Sequence, residues 1–222
     1  MTDLPADDAG RFEIIREHLY TAVVGDILDE LGRLHQFLPQ SLQAIGPGMA
    51  LVGRAMPVLI ADVFERPDPP FGRLTEALDS LRPGEIYLAR SGRLECAAWG
   101  EILTTTAKAR GAAGAVIDGY HRDTRKVLEL DWPVYSRGAY GQDAGPRASV
   151  RDFRVPVQIG DVTVTPGDLL IGDQDGVVVV PADVEAEVLE RALAKATAEG
   201  VTLEAIASGM SSSEAYATFG VL

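Results

Sequence analysis

One stretch of the sequence constrains the fold more than any other, because it alternates helical and strand character in a fixed order. A helical pattern over residues 100–110 is followed by a fully apolar strand over residues 115–117. A second helix is then predicted over residues 124–130, with Thr124 as its cap, and a second strand over residues 133–136. Strands that are joined through a helix pair in parallel by a crossover. The chain is therefore predicted to contain a parallel sheet covered by helices.

The rest of the chain continues this mixed pattern without a linker that would divide it. Apolar residues recur every three or four positions over residues 12–31, which predicts one long helix. Short β-rich runs alternate with Gly-Asp turns between residues 155 and 180, which indicates a compact β layer. We expect a single mixed α/β domain over residues 1–222, closed by a helix over about 182–206. The other expected elements are a strand over 50–61, a short helix over 72–81 and a strand over 86–89.

Charge and cysteine content exclude several classes of function. The formal net charge is −13, from 20 Lys and Arg against 33 Asp and Glu, so a phosphate backbone would be repelled. The most basic stretch, residues 122–126, also contains Asp123 and makes a poor nucleic-acid patch. Cys96 is the only cysteine, which excludes an internal disulfide and a cysteine zinc cluster. We therefore expect no nucleic-acid partner and a reducing compartment.

Targeting signals are not recognisable in the sequence. No apolar run approaches the roughly 18 residues that a membrane-spanning helix needs. The segment over residues 1–11 is acidic and lacks the basic and then apolar order of a signal peptide. These features predict a cytoplasmic protein with no membrane partner.

Residues 118–123 (DGYHRD) are the strongest candidate for a functional site. They leave the carboxyl end of an apolar strand, where open parallel sheets place their ligand sites. Magnesium typically keeps several waters and accepts only one or two protein carboxylates, and Asp123 could supply one. Arg122 would offer a planar, permanently charged fork to a substrate oxygen. The alternative is that Arg122 and Asp123 form a surface salt bridge or a helix-capping pair.

Residues 100–103 (GEIL) form a second candidate site at the start of the preceding helix. Free backbone N–H groups at a helix N-terminus make a ready anion site, here suited to a small carboxylate. Glu101 in this first turn is also favourable to the helix dipole, which is the purely structural explanation for it.

Several segments taken together resemble one protein family: residues 100–103 (GEIL), 110–119 (RGAAGAVIDG), 122–123 (RD), 133–138 (PVYSRG) and 172–181 (GDQDGVVVVP). It is the family of 4-hydroxy-4-methyl-2-oxoglutarate/4-carboxy-4-hydroxy-2-oxoadipate aldolases and the related regulator of ribonuclease activity A. The resemblance extends over about residues 21–221. No single segment is specific, but the combined pattern is.

This resemblance implies an α/β fold with a swivelling-domain-like β core flanked by helices. It also implies homotrimers or hexamers with sites between subunits, and a closing helix at the subunit interface. Asp123 would hold Mg²⁺ or Mn²⁺, chiefly through waters, and Arg122 would contact the substrate. The substrate carboxylate would bind to Gly100, Glu101, Ile102 and Leu103.

Two glutamates complete the catalytic set that the resemblance implies. Glu101 would lie beside the waters of the metal ion, and Glu199 would reach the site of an adjacent subunit. The implied reaction is a retro-aldol cleavage of a 4-hydroxy-2-oxo acid that releases pyruvate. The metal would act as a Lewis acid that stabilises the pyruvate enolate. Oxaloacetate decarboxylation passes through the same enolate and is expected as a second activity.

Other functions remain as alternatives. A non-catalytic regulator that binds a ribonuclease or another protein is the main one, but the regulator branch commonly lacks the aspartate after the arginine, which Asp123 supplies. A Schiff-base aldolase would need Lys108 or Lys126, which match no family position for that role. His121 is interpreted as a neighbour of the site rather than its base, and Tyr120 could line the pocket. Residues 46–48 (GPG) lead into a strand, which argues against a nucleotide-binding methyltransferase.

Overall fold

An eight-stranded mixed sheet forms the centre of the fold within residues 4–221, the part of the chain that this computed structural model describes. Residues 1–3 of the acidic N-terminal segment, and residue 222, lie outside that range. The strands in chain order are β1 (Gln43–Ala44), β2 (Leu51–Asp62), β3 (Glu85–Arg90), β4 (Ala97–Trp99), β5 (Gly114–Asp118), β6 (Tyr120–His121), β7 (Val134–Ser136), β8 (Ala148–Phe153), β9 (Val157–Ile159), β10 (Val162–Val164), β11 (Leu169–Asp173) and β12 (Gly176–Val180).

The helices lie on the faces and at the ends of this sheet. They are α1 (Asp8–His18), α2 (Thr21–Glu30), α3 (Leu74–Asp79), α4 (Glu101–Ala109), α5 (Thr124–Glu129), α6 (Glu185–Ala207) and α7 (Ser212–Phe219). No helix in the described part of the chain has the length and apolar character that crossing a membrane requires.

The predicted parallel unit is confirmed. Strands β2, β3, β5 and β7 run parallel to one another in that order, with α4 between β3 and β5 in the chain and α5 between β5 and β7. Strands β11 and β12 extend the sheet in antiparallel fashion from the other side of β2. The run over residues 155–180 is therefore not a separate layer as predicted, since only the β9–β10 hairpin stands apart.

The sheet curls until its two edges approach each other. Residues 36–38 cover the β12 edge: the Leu38 N–H donates to the Val177 carbonyl at 2.9 Å and the Val179 N–H to the Gln36 carbonyl at 2.8 Å. The same segment leads into β1, which pairs with β7 at the opposite edge. The fold class predicted from the sequence, a mixed α/β fold with a β core flanked by helices, is confirmed as a nearly closed sheet with helices around it.

The single helix predicted over residues 12–31 is wrong, because the chain breaks into α1 and α2. Leu19 and Tyr20 adopt extended backbone angles. Both the backbone N–H and the hydroxyl of Thr21 donate to the Asp173 carboxylate, at 2.7 and 2.8 Å. This long-range anchor starts a new helix where the apolar periodicity alone suggests a continuous one.

The closing helix begins three residues later than predicted and continues through Gly200. Its first half packs on α2 and the sheet through Val188, Leu189 and Ala192, and Lys195 donates to Asp26 at 2.6 Å. Contact with a neighbouring subunit stays a prediction. Helix α7 begins with a Ser211/Glu214 capping box and is not among the elements predicted from the sequence.

Arg54 on β2 joins α1 to α6 and provides a test of the fold. Its guanidinium donates to the carboxylates of Asp8 and Glu185, and the Glu185 side chain is only 9% exposed. Replacing Arg54 by Leu leaves a nearly buried carboxylate without its main partner, so we expect about 2–3 kcal/mol lower free energy of unfolding in urea titrations. Arg33→Leu removes an exposed pair with Asp183 and should cost less than about 1 kcal/mol. Equal effects of the two substitutions would contradict this reading.

Candidate functional site

Two short parallel strands position the residues that the sequence singled out. β4 pairs in parallel with β6, so Gly100 and Arg122, the residues that follow these strands, lie side by side. The Arg122 N–H donates to the Trp99 carbonyl at 3.0 Å, which ties the two segments together. The sequence predicts a single loop over residues 118–123 and does not indicate this pairing. Strands of two and three residues are too short to show a periodic pattern.

Asp123 has an unusual backbone that separates its side chain from the helix it begins. Its φ of 59° lies in the left-handed region, which non-glycine residues rarely occupy outside special sites. Its carbonyl accepts from the Val127 N–H at 3.0 Å and so starts α5. Its carboxylate makes no capping bond to α5, and Oδ2 instead accepts from the Glu101 N–H at 3.3 Å. Thr124, predicted to be the cap, lies in the first turn of α5, and Asp123 holds the cap position.

Gly100 is required by the close approach of this carboxylate. A Cβ atom at position 100 would lie 2.7 Å from Asp123 Oδ2 and 3.3 Å from Arg122 Cγ. Gly100 precedes α4 without a side-chain cap, so the first amides of that helix have no intrahelical acceptor. The amides of Ile102 and Leu103 are thus free to bind an anion beside Asp123.

Arg122 is held between two carboxylates. Its Nη1 lies 3.0 Å from Asp143 Oδ1, and its Nε lies 3.9 Å from Asp123 Oδ2. Asp143 was missed by sequence reasoning, since it belongs to an irregular segment with no motif around it. Its other oxygen accepts from the Gly145 N–H at 3.0 Å, which fixes the carboxylate that orients Arg122.

These residues line a pocket of about 420 Å³ between α3, α4 and β4. Glu101 is not among the residues that line it, and its backbone N–H donates to the Asp123 carboxylate at the edge of the site. No lysine lies among the described residues of its wall, and Lys108 Nζ donates to the Leu130 carbonyl at 2.6 Å instead. The lining residues are Phe71, Leu74, Thr75, Leu78, Asp79, Ala97, Ala98, Trp99, Gly100, Ile102, Leu103, Thr106, Arg122, Asp123, Asp143 and Ala144.

Asp123 has the donor chemistry that a hard divalent cation requires. Its Oδ1 makes no hydrogen bond to another residue in the described range, whereas Oδ2 is held by Glu101. Within residues 4–221 no group of three or more His, Cys, Asp or Glu side chains is arranged to hold a metal. A cation at this position would therefore be held by one carboxylate and by waters, as magnesium often is.

Glu199 lies apart from this pocket within the chain. It is on α6, and its carboxylate accepts a hydrogen bond from the Tyr20 hydroxyl. This bond raises the pKa of Tyr20 to about 12. The reach of Glu199 into an adjacent subunit stays a prediction.

His121 is engaged in the interior and does not face the pocket. Its Nδ1 lies 2.7 Å from Ser136 Oγ and its Nε2 lies 2.9 Å from Thr124 Oγ1. The residue is 3% exposed, and burial lowers the pKa of its imidazole. These contacts agree with the interpretation of His121 as a neighbour of the site rather than its base.

A second, larger cavity of about 650 Å³ lies at the carboxyl ends of β3 and β5. It is lined by the first half of the 118–123 segment, including Tyr120. Tyr120 is absent from the lining of the pocket that contains Arg122, so the suggestion from the sequence that it lines the site is wrong. Arg137 in this cavity donates to Asp118 Oδ1 at 2.7 Å. We assign the site to the smaller pocket, because only there do Asp123, Arg122 and the α4 amides converge.

The fold and the pocket together define a mixed α/β protein with an uncapped helix N-terminus beside a carboxylate–guanidinium pair. Residues 21–179 match the family model described as RraA-like, Aldolase/RraA. The chain therefore belongs to the RraA-like family.

Three comparisons illustrate the relationship. The chain is 29% identical to the "Putative 4-hydroxy-4-methyl-2-oxoglutarate aldolase" of Halalkalibacterium halodurans, over 88% of this chain and 89% of that protein. It is also 29% identical to Protein DlpA of Legionella pneumophila, over 85% of this chain but only 30% of the relative's length. The crystal structure of Streptomyces coelicolor RraAS2, "an unusual member of the RNase ES inhibitor RraA protein family", superposes with a TM-score of 0.78 at 27% identity and covers 87% of this chain and 96% of its own.

Proposed function

We propose that this protein is a divalent-metal-dependent lyase that cleaves a 4-hydroxy-2-oxo acid to pyruvate. The observation that carries the proposal is the convergence of Asp123, Arg122 and the first turn of α4 in one pocket. The family relationship and the name of the Halalkalibacterium relative support the same chemistry. Asp123 would hold Mg²⁺ or Mn²⁺, and the bound cation would supply Lewis acidity at the 2-oxo group.

The residues of this chain would orient the substrate before any bond breaks. The free amides of Ile102 and Leu103 would bind the C1 carboxylate, because a helix N-terminus favours an anion. Arg122 would face the 2-oxo oxygen, with Asp143 fixing the direction of its guanidinium. Charge that develops on this oxygen would then meet a donor already in place, a contribution often worth about 3–4 kcal/mol.

In the reaction, a base removes the proton from the C4 hydroxyl group. The C3–C4 bond breaks and its electron pair becomes the C2–C3 double bond, while the π pair of the 2-oxo group moves to its oxygen to give the enolate. C4 leaves as the carbonyl of the second product. Protonation at C3 then gives pyruvate. Glu101, acting through a water, is the base that this chain offers, and Glu199 of an adjacent subunit is a second one. Oxaloacetate would lose CO₂ when its own C3–C4 bond breaks, and this step would give the same pyruvate enolate.

An assay of pyruvate release tests this proposal. We expect turnover of 4-hydroxy-2-oxo acids and of oxaloacetate in the presence of Mg²⁺ or Mn²⁺, and loss of turnover when a chelator removes the ion. Restored activity on adding the metal back is the control for irreversible damage. Pyruvate release that does not change when the chelator is added would contradict the metal assignment. If no substrate released pyruvate, the lyase function itself would be contradicted.

A regulator that binds a ribonuclease is the second candidate, favoured by the superposition on Streptomyces coelicolor RraAS2. The acidic net charge of −13 is compatible with binding to a basic protein surface. Stable capture of a ribonuclease by a preparation that shows no metal-dependent turnover would favour this function over the lyase.

A further inference from the structure

We infer that the larger cavity, at the carboxyl ends of β3 and β5, binds a small organic anion that carries at least two negative charges. The inference does not depend on the proposed reaction, which takes place in the pocket of Arg122. The cavity measures about 650 Å³, which lies in the range of small-molecule sites. The carboxyl ends of neighbouring parallel strands are also where sheets of this kind bind ligands.

Two guanidinium groups in this cavity have no carboxylate partner. Arg90 and Arg93 both line it, and neither side chain forms a hydrogen bond or an ion pair with another residue within residues 4–221. The chain has 33 Asp and Glu against 20 Lys and Arg, so possible partners are plentiful. Two like charges that share a cavity without such partners repel each other and attract an anion.

The acids of the cavity wall leave this positive charge unbalanced. Asp118, whose side chain is 10% exposed, is already paired with Arg137. Glu95 is the other carboxylate among the described lining residues. One carboxylate therefore faces the two unpaired guanidinium groups, and the cavity keeps a net positive charge in a chain whose formal net charge is −13.

The backbone holds both arginines in place. Arg90 ends β3, where it pairs with the strands on both sides. Arg93 follows in a turn that Asp62 fixes, because this carboxylate accepts from the Arg93 N–H at 2.9 Å and from the Leu94 N–H at 3.0 Å. A Cβ atom at Gly92 would clash with the same carboxylate, so the turn requires a glycine there. Arginines on a fixed backbone lose less freedom when they bind an anion.

The rest of the wall suits an organic body rather than a bare inorganic ion. The side chains of Leu59, Leu94, Pro156 and Val157 line the cavity with hydrocarbon. Ser91 lines it as well, and its enclosed hydroxyl finds no hydrogen-bond partner within residues 4–221. Because buried hydroxyl groups are normally hydrogen-bonded, a ligand oxygen toward which this side chain turns would supply the missing partner.

Three probes that share one aromatic ring test the inference. Carboxylate and phosphate groups both match the guanidinium fork, so both are compared. Isophthalate carries two carboxylates, phenyl phosphate carries one doubly charged phosphate at pH 8, and benzoate carries a single carboxylate. Calorimetry on the full chain without divalent metal should show at least one dianion binding about tenfold more tightly than benzoate, and the tighter dianion identifies the anionic group. Binding of neither dianion, or binding of benzoate as tight as that of both, would overturn the inference.

Arg90→Gln/Arg93→Gln tests where the dianion binds. Loss of both guanidinium groups should weaken its binding at least about tenfold. Arg16→Gln/Arg82→Gln is the matched control, since it removes the same charge from exposed arginines that do not line the cavity, and it should bind within about twofold of the wild type. Equal losses in the two double variants would assign the binding to net charge and overturn the site.

A single substitution covers the case in which the double variant fails to fold. Arg93 is exposed in its turn, so Arg93→Gln should fold and still weaken dianion binding about threefold or more. Unchanged binding in this variant would overturn the role of Arg93.

Variants of the smaller pocket separate this site from the proposed active site. Arg122→Lys and Asp123→Asn should bind the dianion as tightly as the wild type, because neither residue lines the larger cavity. Loss of binding in these variants, with binding kept in Arg90→Gln/Arg93→Gln, would place the anion in the pocket of Arg122 and overturn the inference.

Discussion

Replacing Asp123 by Asn should lower metal-dependent pyruvate release about a hundred- to a thousandfold while the fold stays intact. The substitution removes the negative charge that would hold the cation and keeps the size of the side chain. Asn tolerates the left-handed backbone that Asp123 adopts, with φ of 59°, at least as well as Asp does. Its amide oxygen can still accept from the Glu101 N–H. The free energy of unfolding should therefore change by less than about 0.5 kcal/mol.

Asp131 supplies a matched control for this experiment. It is a second aspartate with positive φ, 46°, and it lies beyond the other end of α5, away from the pocket. Asp131→Asn should keep pyruvate release and metal affinity at wild-type values. Metal binding by calorimetry should be lost only in Asp123→Asn, and wild-type turnover in that variant would remove Asp123 from the metal site.

The parallel part of the fold was predictable because its order is encoded locally. The apolar strand β5, the helices on either side and the strand β7 each follow a pattern that a short window of sequence displays. The break between α1 and α2 was not predictable in this way. It depends on hydrogen bonds from Thr21 to Asp173, a residue more than 150 positions away in the sequence. The same holds for β11 and β12, whose place in the main sheet depends on pairing with β2.

The candidate site, too, could be predicted from the sequence only in part. Residues 100–103 and 122–123 stand out because of their types and their positions after strands, and the structure brings them within contact of one another. Asp143 could not be found in this way, since nothing around it marks it as a partner of Arg122. The direction of the Asp123 carboxylate also escapes a sequence reading. It follows from a left-handed backbone angle and from the missing Cβ at Gly100.

Arg122→Lys should lower kcat/KM for pyruvate release about a hundredfold although the positive charge is kept. The guanidinium contacts Asp143 through Nη1 at 3.0 Å and presents further N–H groups to the pocket, and an ammonium cannot occupy both positions. Loss of one preorganised donor at a developing oxyanion typically costs about 3–4 kcal/mol, and the lysine charge should recover part of it. Steady-state kinetics with saturating Mg²⁺ should show the loss mainly in kcat, because the enolate charge appears only as the bond breaks.

Arg137 distinguishes a role in the reaction from a general need for arginine. It is an arginine of similar exposure that pairs with Asp118 in the other cavity, so Arg137→Lys perturbs a comparable ion pair outside the site. We expect this variant to retain kcat/KM within about threefold.

A further test of orientation is Asp143→Asn, which leaves Arg122 in place but weakens the contact that directs it. An intermediate loss in kcat for Asp143→Asn, with wild-type metal affinity, would show that Arg122 acts through its position as well as its charge. Wild-type rates in Arg122→Lys would argue against an arginine that faces the enolate.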